Sequence, residues 1–239
     1  MAACITCVEL PSLLENKMPP WSTIDTIMFD MDGTLLDLHF DNYFWQSLVP
    51  QAYAKEHGIS EADAEVLVKL KNDQALGSLE WYCLDYWADE LKLDVVKLKK
   101  TITHKINIRP NVEKLLEQLR ASEKRILLIT NAHPTSLKIK MAHTGIDSFF
   151  HDCISSHTLS LAKEHHGFWD KLRQHFPYDP SKTILFDDSL PVLRQAQREG
   201  IKHLYAIQKP DSKRPSLNAG EFPQVVDFEH IMPNPTSTT

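Results

Sequence analysis

The stretch TIMFDMDGTLLD, residues 26–37, decides how the rest of the chain is read. An apolar run ends in two carboxylates, Asp30 and Asp32, two positions apart, and Gly33 follows directly. The run is short and continuous rather than alternating, which predicts a strand buried on both faces over Thr26–Met31. Four further runs share the pattern: Arg125–Thr130, Asp152–Ser156, Thr183–Asp187 and His203–Ile207. Helical periodicities fall between them. Val112, Leu115, Leu116 and Leu119 recur at i, i+3, i+4 and i+7, and Leu137 and Met141 lie four apart before Gly145. Phe168, Leu172 and Phe176 are spaced by four, and Val192, Leu193 and Ala196 precede Gly200. Strands alternating with helices predict an α/β fold with a doubly wound, Rossmann-like parallel sheet.

One segment breaks the alternation. Residues 38–105 carry helical patterns and no convincing strand, which is too long an excursion for a loop. The predicted organisation is an N-terminal extension over 1–20, a core made of 21–37 and 106–225, a small all-helical cap over 38–105, and a tail over 226–239. From about Pro210 the chain is rich in Pro, Ser, Asn and Thr, which predicts irregular structure.

The totals exclude several classes. The 239 residues are 42% hydrophobic with a formal net charge of -6, a soluble globular composition. That charge argues against a nucleic-acid surface, which needs clustered Lys and Arg. No apolar run reaches membrane-spanning length, and the first twenty residues lack the basic and apolar segments of a signal peptide, so a cytoplasmic location is expected. Cys4 and Cys7 form a lone CxxC with no second ligand pair, read as ordinary reduced thiols. The oligomeric state is not encoded in any of these patterns.

In a parallel α/β sheet, ligands bind beyond the carboxyl ends of the strands. Three predicted strands end in chemically loaded residues: Asp30 and Asp32 after the first, Thr130 and Asn131 after the second, Asp187 and Asp188 after the fourth. The fold would gather up to four carboxylates at one rim. Two unit charges about 4 Å apart repel by about 4 kcal/mol at an effective dielectric near 20, so the cluster calls for a cation. Hard oxygen ligands at a partly open site suit Mg²⁺, with Asp30, Asp32, Asp187 and Asp188 as candidate ligands. Lys163, in LAKEHH at the start of a predicted helix, supplies a second positive charge. Gly33 permits a tight turn whose backbone N–H groups can hold phosphate oxygens.

DMDGT (Asp30–Thr34), LLITN (Leu127–Asn131), the lysine of LAKE (Lys163) and LFDDS (Leu185–Ser189) resemble the four motifs of the haloacid dehalogenase-like hydrolases, in the order of that family. The helical insertion after the first motif looks like the family's type 1 cap. WYCLDYW (Trp81–Trp87), TNAHP (Thr130–Pro134) and HTGID (His143–Asp147) extend the likeness to bacterial purine nucleotidases acting on GMP and IMP, from about Trp21 to Pro210.

The resemblance implies a Mg²⁺-dependent phosphomonoesterase for a small phosphate ester, a purine nucleoside monophosphate. Asp30 would be the nucleophile and form an aspartyl-phosphate; Asp32 would be the general acid and then the base. Mg²⁺ would bind the Asp30 carboxylate, the Asp32 carbonyl and Asp188, while Asp187 acts directly or in support. Thr130, Lys163 and backbone N–H groups near Asp32 and Asn131 would hold the phosphoryl oxygens. An acid at position 32 also favours phosphoryl chemistry over dehalogenation, because a carbon–halogen bond needs no protonated leaving group. A sugar-phosphate or phosphoglycolate phosphatase and a phosphomutase share these motifs. A silent nucleotide- or partner-binding scaffold normally lacks the nucleophile or the general acid, and both are present here.

For the cap, Phe40, Asp41, Asn42 and Tyr43 face the expected substrate space, and Asn42 and Tyr43 are candidate substrate contacts. Trp81, Tyr82, Tyr86 and Trp87 are read either as a small helical core or as a stack for a base, with Tyr82 and Tyr86 on one helix face. His133 reads as a helix cap or a leaving-group contact, and His165-His166 as surface residues pointing apart.

Overall fold

The computed structural model describes residues 17–233, so Cys4 and Cys7 lie outside the described residues. The described chain forms one parallel sheet of six strands: β1 (Thr26–Phe29), β2 (Arg125–Thr130), β3 (Asp152–Ser155), β4 (Thr183–Asp187), β5 (His203–Ile207) and β6 (Gln224–Val225). Their order is β3-β2-β1-β4-β5-β6, which puts β1 at the centre, where the strand order reverses. The doubly wound α/β class read from the sequence is the observed one.

The strand β1 ends at Phe29, two residues before the predicted Met31. The Asp30 N–H still donates to the Phe186 carbonyl (2.9 Å), but the chain then curls. The Met31 carbonyl accepts from both Leu35 N and Leu36 N (3.0 and 2.8 Å), so the ladder cannot continue.

Side chains alternate across the sheet, and the two faces bury separate cores. Ile27, Phe29, Ile126, Leu128, Ile184 and Phe186 pack with α6 (Val112–Arg120) and α7 (Pro134–Thr144). Met28, Leu127, Ile129 and Leu185 pack with α8 (Phe168–His175) and α9 (Leu190–Arg198). Burying each such side chain contributes about 1.5–3 kcal/mol, which is why these four helices need their apolar stripes.

The C-terminal segment is less irregular than predicted. β6 pairs with β5 through Ala206↔Gln224 and Ile207↔Val225. Past it, the 3₁₀ turn Phe228–Ile231 buries Phe228 and Ile231, and Trp21 Nε1 donates to the Ile231 carbonyl at 2.8 Å. A strand of two residues is too short for any periodicity to show.

Residues 38–105 form α1 (His39–Tyr43), α2 (Val49–His57), α3 (Glu61–Ala75), α4 (Leu84–Leu91) and α5 (Val95–Thr101), joined by short turns. A π-helical turn, Phe44–Leu48, joins α1 to α2, just ahead of Pro50 in the first turn of α2. Proline has no N–H and its ring crowds the carbonyl four residues back, so the wider turn absorbs a break that an α-helix would not tolerate. The chain leaves and re-enters the core side by side: Asp37 N donates to Asn107 O, and Arg109 N to Leu35 O (both 2.9 Å). Among the described residues no helix is long and apolar enough to cross a membrane.

Candidate active site

The carboxyl ends of β1, β2 and β4 open into a cavity of about 770 Å³, with α1 and α3 forming its opposite wall. Asp30, Asp32, Thr130, Asn131, Lys163, Asp187 and Asp188 all border it. Residues up to 158 positions apart in the chain thus meet at one sheet edge.

Lys163 organises the floor. It is 2% exposed and sits in the turn before α8 rather than in a helix. Its Nζ donates to Asp30 Oδ1 (2.5 Å), Asp187 Oδ2 (2.7 Å) and the Ile129 carbonyl (3.2 Å), which uses all three ammonium protons. Burial alone would discharge this lysine, but Asp187 and Asp30 outweigh it and hold its pKa above the usual lysine range. The partners share one ammonium among too many acids. Burial, opposed by Lys163 and reinforced by Asp187, raises the Asp30 carboxyl to about 6. Asp188 is pushed well above the carboxylate range by burial, then by Asp30 and Asp187.

This donor set fits a hard divalent cation. Oxygens of Asp30, Asp187 and Asp188 lie within 4.8 Å of one another. Asp30 Oδ2 is buried and finds no hydrogen-bond partner among the described residues. Both oxygens of Asp187 are engaged, Oδ2 by Lys163 and Oδ1 by the Ser189 N–H (2.9 Å). Asp188 forms no ion pair with any described residue, so Asp30 and Asp188 hold the free ligand oxygens, and the doubled acid is unequal.

Gly33 serves this site differently from the expectation of a phosphate contact. Its N–H donates to the Leu36 carbonyl (2.8 Å) and is not free for a ligand. Its φ is +88°, and a Cβ there would lie 2.4 Å from Asp188 Oδ2. Gly33 is the residue that lets Asp188 reach the floor. Gly33→Ala is expected to cost about 1–3 kcal/mol of stability through backbone strain and, by displacing Asp188, to weaken divalent-cation binding at these acids. Thermal melts and a Mg²⁺ titration of activity check this; wild-type behaviour in both would contradict it.

The second acid belongs to a network that sequence reasoning missed. Lys140, on α7, donates to Asp32 Oδ1 and Asp41 Oδ2, both at 2.6 Å. Lys99, on α5, donates to Asp41 Oδ1 (2.7 Å) and Ser136 Oγ (3.3 Å). Lys99 and Lys140 are 2% and 1% exposed. The chain Asp32–Lys140–Asp41–Lys99 therefore runs from the loop after β1 through α7 to both ends of the 38–105 segment. A signal for it exists in the sequence: Lys140 stands beside Met141 and three after Leu137, and Lys99 stands four after Val95. A lysine in a buried apolar stripe needs an acid to face.

Burial first, then Asp41, raises the Asp32 carboxyl to about 6, against the opposing pull of Lys140. Burial would also raise Asp41, but Lys140 and Lys99 outweigh it and hold that carboxyl at about 2. Asp32 is thus poised near neutrality while Asp41 stays ionised. With Asp32 as the general acid expected from the sequence, the alkaline limb of kcat/KM, which would report loss of that protonated acid, is expected to move oppositely in two variants. Asp41→Asn removes a neighbouring negative charge, so the limb moves to lower pH. Lys140→Met removes the opposing cation, so it moves to higher pH. pH–rate profiles of both variants check the pair, and shifts of one sign would reject the network as the cause.

The remaining candidates divide. Thr130 Oγ1 accepts from the Ala132 N–H (3.0 Å) and borders the cavity with its hydroxyl proton still to give. The Asn131 side chain is used internally: Oδ1 accepts from the Lys163 N–H (2.9 Å) and Nδ2 donates to Glu164 Oε2 (2.8 Å). Glu164, not singled out in the sequence, also accepts from Tyr82 Oη of the cap (2.9 Å). Asn42 borders the cavity and donates to Asp211 Oδ2 (2.7 Å). Tyr43 does not border it; its ring packs on His39 and lies under Lys105 Nζ. Helical phase explains the difference. Leu38, Asp41, Asn42, Trp45 and Gln46 form the cavity stripe, and position 43 is turned about 100° away from it.

The aromatics are not one helical face. Glu80–Tyr82 is a 3₁₀ turn, Cys83 is extended, and α4 starts at Leu84, so Tyr82 and Tyr86 lie on different elements. Trp81 and Tyr82 border the cavity, whereas Trp87 is buried in the same apolar core as Phe29, Phe40 and Phe44. His133 caps α7 by accepting from the Thr135 N–H (3.3 Å). His165 Nε2 meets the Gly77 carbonyl at 2.6 Å, and His166 is exposed, so the pair diverges as expected.

The model of haloacid dehalogenase-like hydrolases matches residues 24–200, a span that includes every acid of the site. The chain belongs to the haloacid dehalogenase-like hydrolase family. It is therefore an enzyme of the hydrolase class, as its four motifs implied. Among curated proteins it is similar to the GMP/IMP nucleotidase YrfG of Escherichia coli K12, at 35% identity over 90% of this chain and 96% of that protein. The Shigella flexneri protein of the same name matches to the same extent. Among solved structures, a HAD phosphatase from Thermococcus onnurineus superposes with a TM-score of 0.71 at 19% identity, covering 84% of this chain and 93% of that one. The HAD-hydrolase YfnB of Bacillus subtilis, described as bound to magnesium, has a TM-score of 0.59 at 17% identity, covering 86% and 96%. These structural likenesses establish the shared family fold.

Proposed function

We propose that this haloacid dehalogenase-like hydrolase is a Mg²⁺-dependent 5′-nucleotidase that releases phosphate from purine nucleoside monophosphates such as GMP and IMP. The observation that carries the phosphatase reading is the pairing of two buried acids that are held by different partners. Asp30 is held by Lys163 at one oxygen and unpartnered at the other. Asp32 is held by Lys140 instead (2.6 Å), and its carboxyl, like that of Asp30, is raised to about 6, close to an operating pH. In this reading the Asp30 carboxylate attacks phosphorus, and the phosphorus–ester oxygen bond breaks as protonated Asp32 gives its proton to the leaving oxygen. Asp32, now a carboxylate, takes a proton from water, which attacks the aspartyl-phosphate and frees Asp30. Asp30, Asp188 and the Asp32 carbonyl would hold Mg²⁺, supported by Asp187, and the ion would neutralise charge on the phosphoryl oxygens. Thr130 and Lys163 offer donors to those oxygens; Lys163 would give up its longest bond, to the Ile129 carbonyl.

The nucleotide half rests on the 35% identity to the GMP/IMP nucleotidases and on the cavity. A volume of about 770 Å³ accommodates a nucleotide, and Trp45, Trp81 and Tyr82 border it. The Trp81 Nε1–H and the Tyr82 hydroxyl are already bonded, to Asn72 and Glu164, which leaves ring surface for a base. Cytoplasmic residence completes the reading and accords with the free thiols of Cys83 and Cys153.

A panel of phosphate esters, assayed with and without Mg²⁺, tests both halves. GMP and IMP are expected to exceed sugar phosphates and phosphoglycolate in kcat/KM by at least about tenfold, with free phosphate as product. Equal rates across the panel would remove the nucleotide claim alone. An isomerised sugar phosphate in place of free phosphate would make the protein a mutase.

A further inference from the structure

Where the cap meets the core, three side chains converge that the hydrolytic mechanism does not use. One ligand-type atom from each of Cys83, His133 and His157 lies within 4.8 Å of the others. Cys83 stands in the bend between the 3₁₀ turn Glu80–Tyr82 and α4, His133 caps α7, and His157 lies in the 3₁₀ turn after β3. The two imidazoles meet edge-on, 5.1 Å between centroids.

The decisive atom is His157 Nε2. It is buried and has no hydrogen-bond partner among the described residues. A neutral imidazole carries a lone pair on one of its two nitrogens, which a metal ion can take. An orphaned buried nitrogen costs about 1–3 kcal/mol unless something fills its lone pair. A fourth donor is at hand, since Asp85 Oδ2 lies 3.5 Å from His133 Nε2 on an exposed carboxylate free to turn inward.

We propose that Cys83, His133 and His157, with Asp85 as fourth ligand, form a second metal site that takes a borderline-soft divalent cation such as Zn²⁺. A thiolate and two imidazoles select Zn²⁺ over Mg²⁺, whereas the carboxylates around Asp30 select the reverse, so the two sites discriminate by chemistry. Ligand atoms in a tetrahedral zinc site lie roughly 3.5 Å apart, so a small contraction completes the shell. His133 would then carry its proton on Nδ1 and give up the 3.3 Å bond from Thr135. Two ligands belong to the 38–105 segment and two to the sheet side, so a bound ion ties one to the other at the edge of the cavity.

Co²⁺ is the probe, because a thiolate ligand gives a sulfur-to-cobalt charge-transfer band and tetrahedral geometry gives strong visible bands. The titration uses full-length protein with Cys4→Ser and Cys7→Ser, which removes the other thiol pair, in the presence of excess Mg²⁺. One equivalent of Co²⁺ is expected to give both signals, and Zn²⁺ should displace it and raise Tm. Cys83→Ser should abolish the charge-transfer band. His157→Gln should keep it but weaken the affinity at least tenfold. Absence of the band in the Cys4→Ser/Cys7→Ser protein, its persistence in Cys83→Ser, or unchanged affinity in His157→Gln would each overturn the site. Should Cys83→Ser fail to fold, the His157→Gln titration decides alone.

Discussion

Asp30→Asn is expected to abolish phosphate-ester hydrolysis, by roughly four to six orders of magnitude in kcat, the scale reached when a nucleophile acting within a unit is removed. The amide keeps the size and planarity of the carboxylate but cannot attack phosphorus. Stability separates lost chemistry from lost fold. In the metal-free protein burial raises the Asp30 carboxyl to about 6, above its unfolded value. The folded state therefore binds the proton more tightly, and stability falls as pH rises from about 4 through 6. Asn carries no such penalty. At pH 7.5 without metal the variant should melt at or above the wild-type temperature while turnover vanishes. Retained turnover would end the assignment of Asp30 as nucleophile. A collapsed melting temperature would assign the loss to folding instead.

Lys163→Met should lose both activity and stability. The ammonium is the cation shared by Asp30 and Asp187, with all three groups buried. Removing one partner of such a cluster leaves uncompensated charge and costs about 3–5 kcal/mol. The pH dependence has a definite sign. Without the lysine both carboxyls rise further, so the destabilisation is largest near neutrality and shrinks on acidification, as the acids protonate and no longer need a partner. Mg²⁺ should restore part of the melting temperature by replacing the missing charge, but not the activity, since the proposed mechanism loses a donor to the phosphoryl group. Urea melts at pH 5 and 7.5, with and without Mg²⁺, measure this. Equal destabilisation at both pH values would mean that packing, not charge, sets the loss.

Much of the candidate site was legible before any coordinates. The runs 125–130, 183–187 and 203–207 are strands with the predicted bounds, because continuous apolar runs closed by polar residues have few other stable uses in a covered sheet. Once the sheet is parallel, strand ends share an edge, and Asp30, Thr130 and Asp187 must converge. Residues 38–105 were legible only as helices. Tyr43 misses the cavity by one residue of helical phase. Tyr82 and Tyr86 part because the chain bends at Cys83. Lys140 reaches Asp32 across 108 residues and Asp41 across 99, distances over which no local pattern carries information.

Local order and the nature of the chemistry were therefore determined by the sequence itself. Periodicity sets strands and helices, and acids at strand ends demand a cation. The tertiary structure alone decided how the acids differ. Asp30 and Asp188 keep free oxygens while Lys163 and the Ser189 N–H occupy those of Asp187, and Asp32 answers to Lys140 and Asp41 rather than to Lys163. Burial and neighbouring charge set these differences, and both depend on which distant segments the folded chain brings into contact.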